Sequence, residues 1–145
     1  MHPAEVTNEI KDYTFFKNFK MPTLLQISTM METQTFSQGE CLLVEGQGNH
    51  KLYFLRSGAV ELYVGGRKIA VLADQGEVMG EMSVITGHVA STTIVAETSV
   101  ETFVLDVHHF NEMPLADKQD LELLLYKVYC TILVDRLTRA NARQL

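Results

Sequence analysis

Between Met79 and Ile94 the chain reads MGEMSVITGHVASTTI. A Gly-Glu pair is followed by a short apolar run, a second Gly and a string of small and hydroxylated residues. Such a stretch suits the capture of a small anion. Glycine lets the backbone approach closely, and a helix that starts there offers N–H groups even without a charged side chain. What the stretch lacks is a cation: no Lys or Arg occurs anywhere between Lys68 and Lys118.

Other chemistry has less support. His108 and His109 are adjacent, while His50 and His88 are isolated along the chain. Neighbouring residues on a strand point to opposite faces, so His108 and His109 make poor joint metal ligands. No metal site, no Ser-His-Asp or Cys-His pattern and no catalytic residue is assigned. The two cysteines, Cys41 and Cys130, form no CxxC pair and cannot hold a four-cysteine iron–sulfur cluster.

Composition narrows the class. A length of 145 residues suggests one domain, and a hydrophobic fraction of 46% is ample for its core. With 12 basic and 18 acidic residues the formal net charge is -6. Nucleic acid and anionic membranes both call for a basic patch, so neither is an expected partner. The polar start, MHPAEVTNEIKDY, has no signal-peptide core, and no apolar run reaches membrane-spanning length. With so few cysteines, a cytoplasmic location is expected.

The elements that would position the loop follow from periodicity. Residues 4–31 carry apolar clusters at helical spacing (Ile10, Phe15, Phe16, Phe19, Leu24, Leu25, Ile27), interrupted by KMPT; Pro22 suits the first turn of a second helix. From Thr33 the pattern becomes short β-prone runs between glycines: Cys41–Val44, Leu52–Leu55, Ala59–Val64 and Lys68–Leu72, then STTIVAE and SVETFVLD. YVGGRK reads as a tight hairpin, because Gly65-Gly66 tolerates the positive φ of a two-residue turn. Many short strands at this spacing predict a β-sandwich or barrel. From Asp117 to Gln144 there is no Gly or Pro and the period returns to that of a long helix.

The order of these elements and the placement of the glycines resemble the cyclic-nucleotide-binding domain family, shared by catabolite-activator-like proteins and regulatory subunits of protein kinase A. Gly39-Glu40, Glu45-Gly46, Leu52-Tyr53-Phe54 and Ser57-Gly58 fall on its barrel positions, and Gly76 and Gly80-Glu81 on the entry to its phosphate-binding cassette. The resemblance covers roughly Phe36 to Phe110. It implies a mainly β fold: an eight-stranded jelly-roll barrel (33–112) with a cassette at 79–93, short N-terminal helices (1–32) and a long C-terminal helix (114–145), all in one domain.

It also implies a site. Glu81 takes the place of the glutamate that accepts a hydrogen bond from the ribose 2′-hydroxyl. Gly80, Met82 and Ser83 fall where backbone N–H groups face the cyclic phosphate. Leu62, Val71 and Met79 align with apolar positions lining the pocket, although ordinary core serves them equally well. Asn141 falls where a C-terminal-helix residue meets the base, and an amide can read an adenine edge. One departure is sharp. The family sets an Arg nine or ten residues after the glutamate, where this chain has Ala90 and Ser91. A charge-assisted hydrogen bond is worth about 1.5–3 kcal/mol, so losing a bidentate one weakens binding roughly 10–1,000-fold. Ser91, Thr92 and Thr93 offer hydroxyls in its place; His88, Arg67, Lys68 or an arginine of the last helix offers charge.

The last helix carries two apolar faces. Leu123, Tyr126, Cys130, Leu133, Leu137 and Ala140 repeat as a heptad seam, and Leu121, Leu124, Leu125, Val128 and Ile132 form a second stripe. The two together read either as one wide core-facing stripe or as one face for the barrel and one for a homodimer partner. No helix-turn-helix follows, so the chain is not expected to bind DNA by itself, and an effector domain is expected beyond Leu145. Two functions remain open. One is a non-enzymatic sensor that binds a cyclic mononucleotide, cyclic AMP foremost, without a further cofactor, and signals through the C-terminal helix. The other is a degenerate copy without ligand that serves in dimerisation or protein interaction.

Overall fold

The computed structural model describes residues 1–86 and 89–144, with backbone alone at 84–86, 136, 139–140 and 142–144. The chain forms two compact units, Met1–His109 and Phe110–Leu145.

The first unit opens with two helices, α1 (Pro3–Ile10) and α2 (Met21–Met30). Each begins with a proline in its first turn, where no intrahelical N–H is needed. Phe15, Phe16 and Phe19 lie in the turns between them rather than on a helix. Eight strands follow: β1 (Glu32–Phe36), β2 (Cys41–Leu43), β3 (Lys51–Ser57), β4 (Val60–Val64), β5 (Arg67–Leu72), β6 (Val78–Met79), β7 (Thr93–Ala96) and β8 (Val100–Asp106). A short helix, α3 (Glu81–Thr86), separates β6 from β7.

The strands make two antiparallel sheets of four, in the orders β1-β8-β3-β6 and β2-β7-β4-β5. This is the expected eight-stranded jelly-roll, but among the described residues no ladder joins the sheets, so the barrel is not closed. The β4–β5 hairpin turns at Gly65 and Gly66, with φ of 57° and 78°, as the Gly-Gly pair predicts. β1 and the two-residue β6 carry too weak an apolar signal to be read from sequence. β1 (ETQTF) buries only its last residue, and the partner β8 supplies the pairing that makes it a strand.

Side chains of both sheets meet in one core that includes Phe36, Tyr53, Leu55, Val60, Ile94 and Val104. β3 is buried on both faces, which explains its unbroken apolar run. Tyr53 and Leu55 face that core. Phe54 faces the other way and packs against Phe15 and Phe16, with ring centroids 5.1 Å and 4.8 Å apart. The helices are joined by a buried Thr7–Ser28 hydroxyl pair at 2.6 Å. α1 is joined to β3 by a bidentate ion pair: Arg56 Nε and Nη2 each donate to Glu9 at 2.8 Å. The guanidinium also lies 4.3 Å from the centre of the Phe103 ring.

The second unit is a single long helix, α4 (Leu115–Gln144), preceded by a 3-10 turn over Val107–Glu112 that begins in the first unit. Leu121, Leu125 and Tyr129 are buried along one line of the helix, while Leu123, Tyr126, Val134 and Leu137 are exposed. Among the described residues no helix is long and apolar enough to cross a membrane.

The Glu9–Arg56 pair gives a stability test. Burial alone would push the Glu9 carboxyl up, but the hydrogen bonds from Arg56 and Tyr13 and the Arg56 charge outweigh it and hold the group below its ordinary value. A carboxyl lowered on folding stabilises the fold above its unfolded pKa and stops doing so as pH falls through its folded pKa. The two side chains are only 21% and 23% exposed. Glu9→Gln is therefore expected to cost about 1–3 kcal/mol at pH 7. In urea unfolding the gap between the two proteins should close as pH falls below about 4.3. A gap unchanged between pH 7 and acid pH would show that the ion pair contributes nothing.

Candidate functional site

The loop from Met79 to Ile94 is positioned by β3. β6 pairs with it, setting Tyr53 opposite Met79 and Phe54 opposite Val78, and the ladder ends there. Gly80 sits at this crossing with φ of 88°. A β-carbon on residue 80 would lie 2.6 Å from the Lys51 carbonyl oxygen and 3.0 Å from Asn49 Nδ2. Both the backbone conformation and the close approach require glycine here.

Glu81 is the first residue of α3 and is only 5% exposed. Ser83 is buried and its hydroxyl acts as a clip: it donates to the Gly80 carbonyl at 2.7 Å and accepts from Asn49 Nδ2 at 2.7 Å. Asn49 in turn donates to the Lys51 carbonyl at 2.9 Å and accepts from the Lys51 N–H at 3.2 Å. Asn49 thus ties the approach to β3 onto the cassette. Sequence reasoning missed it, because a lone Asn in a Gly-rich loop reads as a turn residue. α3 has six residues, so its dipole alone makes a weak anion site; what distinguishes the loop is that β3 holds it in place.

The far end of the loop returns to the same region. The Ala90 N–H donates to the Gln47 carbonyl at 2.9 Å, and the Ala90 carbonyl accepts from the Gly46 N–H at 2.8 Å. Ala90 is 4% exposed and belongs to the inter-sheet core. It also borders a pocket of about 320 Å³ lined by Cys41–Val44, Gln47–Lys51 and Tyr53. That volume is at the lower end of small-molecule sites.

The remaining sequence candidates divide. Met82 is half-buried on α3. Met79 is core. Leu62 is half-buried against the core, and Val71 is 46% exposed on β5. Neither Leu62 nor Val71 lines this pocket. Ser91 is exposed and Thr92 half-buried, with their hydroxyls 3.5 Å apart. The Thr93 hydroxyl is engaged, accepting from the Glu45 N–H at 3.0 Å. Asn141 is exposed on α4. His88 lies outside the described residues, as do the side chains of Arg136, Arg139, Ala140 and Arg143.

The replacement cation has a candidate that the sequence did not single out. Lys68 is paired with Glu61 at 2.6 Å and Arg67 is exposed on the hairpin. Neither lines the pocket, whereas Lys51, half-buried at the start of β3, does. It escaped notice because it is thirty residues before the loop, and only the β3–β6 pairing brings the two together. The fold also makes a histidine contact that spacing along the chain does not show. His50, isolated in sequence, stacks on His108 with ring centroids 4.0 Å apart, and His109 takes no part in that contact.

On α4 the seam residues Leu123, Tyr126, Cys130 and Leu137 are exposed, and Leu133 is half-buried. Of the second stripe, Leu121 and Leu125 are buried and Leu124, Val128 and Ile132 half-buried. The helix therefore presents two different apolar faces rather than one uniform stripe.

Comparison with known proteins bears on the fold and its family. The family model for the cyclic nucleotide-binding domain matches residues 33–117, from the first strand into α4. The potassium/sodium hyperpolarization-activated cyclic nucleotide-gated channel 4 of Homo sapiens is 27% identical over 128 residues, covering 88% of this chain and 10% of the channel. The chain thus spans only a tenth of that relative's length. A cyclic nucleotide-binding domain from Methylobacillus flagellatus superposes with a TM-score of 0.74 at 19% identity, covering 99% of this chain and 84% of the other. The regulatory subunit of a cAMP-independent protein kinase A from Trypanosoma brucei, as a triple mutant bound to cAMP, superposes with a TM-score of 0.71 at 20% identity, covering 90% and 51%. With the model matching more than half of its length and the cassette glycine seated against β3, this chain belongs to the cyclic nucleotide-binding domain family.

Proposed function

We propose that the chain is a regulatory sensor that takes a cyclic mononucleotide, cyclic AMP foremost, against the cassette, with Lys51 replacing the missing arginine. The observation that carries this reading is the close approach at Gly80, where the segment that leads into the buried Glu81 abuts the Lys51 carbonyl of the strand whose Lys51 lines the pocket. In this reading Glu81 accepts from the ribose hydroxyl, and the N–H groups of Gly80, Met82 and Ser83 face the phosphate. The Ser83 side chain is already spent on Gly80 and Asn49. A lysine supplies a point charge rather than a planar fork, so the phosphate is held less tightly than by arginine.

Calorimetric titration with cyclic AMP, cyclic GMP and cyclic dinucleotides tests the reading. Cyclic mononucleotide affinity in the micromolar range or weaker is expected. Lys51→Ala should weaken it about 10-fold or more, the loss of one charge-assisted hydrogen bond. Glu81→Ala should weaken it as well, with circular dichroism unchanged. Ala90→Arg should tighten it, because residue 90 borders the pocket. No heat and no melting shift at millimolar nucleotide would overturn the assignment.

The second reading, a module that has lost ligand and serves in association, is favoured by the exposed seam on α4. Under either reading we place a homodimer interface along Leu123, Tyr126, Cys130, Leu133, Leu137 and Ala140, and an effector domain or partner downstream of the helix. A twofold parallel pair would bring the two Cys130 side chains together. Both cysteines are exposed, so oxidation must be compared with Cys130→Ser, since Cys41 is also open to cross-linking. Sedimentation should show a dimer that Leu133→Glu splits. A monomer at high micromolar concentration would refute the interface.

A further inference from the structure

The end of the β3–β8 ladder gathers a donor set whose outer members, His50 and His108, are 58 residues apart in the sequence. Lys51 and Asp106 are the last pair in the register, and just beyond it the Val107 N–H donates to the His50 carbonyl at 3.0 Å. The backbone thereby sets His50 opposite Val107, with Asp106 and His108 on either side of Val107. Asp106 Oδ1 accepts the His108 N–H at 2.9 Å, which holds the first residues of the 3-10 turn, and lies 2.9 Å from His50 Nδ1. The two imidazoles stack with their planes 12° apart. One nitrogen from each ring and a carboxylate oxygen all lie within 4.8 Å of one another.

We propose that His50, Asp106 and His108 form a binding site for one divalent transition-metal ion of the zinc class. Two imidazole nitrogens and one carboxylate oxygen are the borderline donors that such ions prefer, and they match the three-ligand sites that leave a fourth position to water. Calcium and magnesium, which take oxygen donors almost exclusively, fit poorly. Zinc–nitrogen and zinc–oxygen bonds of about 2.0–2.2 Å put tetrahedral donors roughly 3.3–3.5 Å apart. The His50–Asp106 contact is already shorter than that. The widest separation, at most 4.8 Å, has to close by up to roughly 1.5 Å, and the stacked rings have to rotate out of their parallel planes so that a lone pair of each points at the ion, a change open to the exposed His108 side chain. His50 and Asp106 are half-buried and His108 is exposed, so an ion reaches the donors from solvent. His50 also lines the pocket, which places the ion at its rim. The site does not depend on whether a nucleotide binds there.

The test uses the full chain, stripped with chelator, and zinc chloride followed by calorimetry and thermal melting. One ion per chain and a raised melting temperature are expected. Cobalt(II) in place of zinc should give the visible absorption of a tetrahedral nitrogen- and oxygen-ligated ion, without a thiolate charge-transfer band. His50→Gln and His108→Gln should each weaken zinc binding at least about 10-fold, since even outer-shell changes cost that much. Asp106→Asn keeps an oxygen acceptor for the His108 N–H but removes the charge, and should weaken binding too. His108 is exposed, so its variant should melt normally without metal and remains informative if the others do not fold. Absence of stoichiometric binding would overturn the site. So would zinc affinity unchanged in the His50→Gln, His108→Gln double variant, or a thiolate band placing the metal on Cys41 or Cys130.

Discussion

The carbonyl oxygen of Lys51 occupies the space that a β-carbon of residue 80 would need, and the arrangement of the cassette depends on that contact. Any side chain at Gly80 forces β3 and the loop apart, and the positive φ adds strain of about 1–3 kcal/mol for a residue other than glycine. With glycine, the loop closes directly onto the strand. Glu81 then starts its helix beside the strand, Ser83 and Asn49 lock the joint, and Ala90 returns to cap the pocket.

β3 can serve as this anvil because it is anchored on every side. It pairs with β8 and β6, faces the inter-sheet core through Tyr53 and Leu55, and faces the N-terminal aromatic cluster through Phe54. Arg56, near its far end, is tied to α1 through Glu9. A strand fixed on both faces positions whatever attaches to its ends, and two groups of residues sit at the same end: the cassette through Lys51 and Gly80, the histidine pair through His50 and Asp106. A rigid scaffold with chemistry at its loop ends is the usual division of labour in β folds.

The electrostatics are sparing. An acidic chain with no basic residue in its cassette keeps Lys51 at the pocket, while Lys68 is held by Glu61 outside it. Burial and the Arg56 pair act on Glu9 in opposite directions and the pair wins; the Tyr13 phenol is pushed up by burial and by Glu9 together. These charges hold α1 on the sheet and are separate from the end of β3 that carries Lys51.

Much of the architecture was legible in the residues. Glycine spacing, the Gly65-Gly66 turn and the change of period at Thr33 and Asp117 mark the strands and the final helix, because turns and helices are governed by local backbone preferences. β1 and β6 were not legible: a polar or two-residue strand exists only through its partner. The Gly80-Glu81 pair was readable as a motif, whereas Lys51, Asn49 and the His50–Asp106–His108 group were not, since residues remote in sequence become neighbours only when strand register is set. Ala90 shows both sides. The sequence alone determined that no arginine stands there; only the tertiary structure decided that its small side chain is core and pocket wall at once, and that a lysine of β3 lines the same pocket. Composition and local preference are properties of single residues and their neighbours, but the meeting of distant side chains is a property of the ladder that joins β3 to β6 and β8.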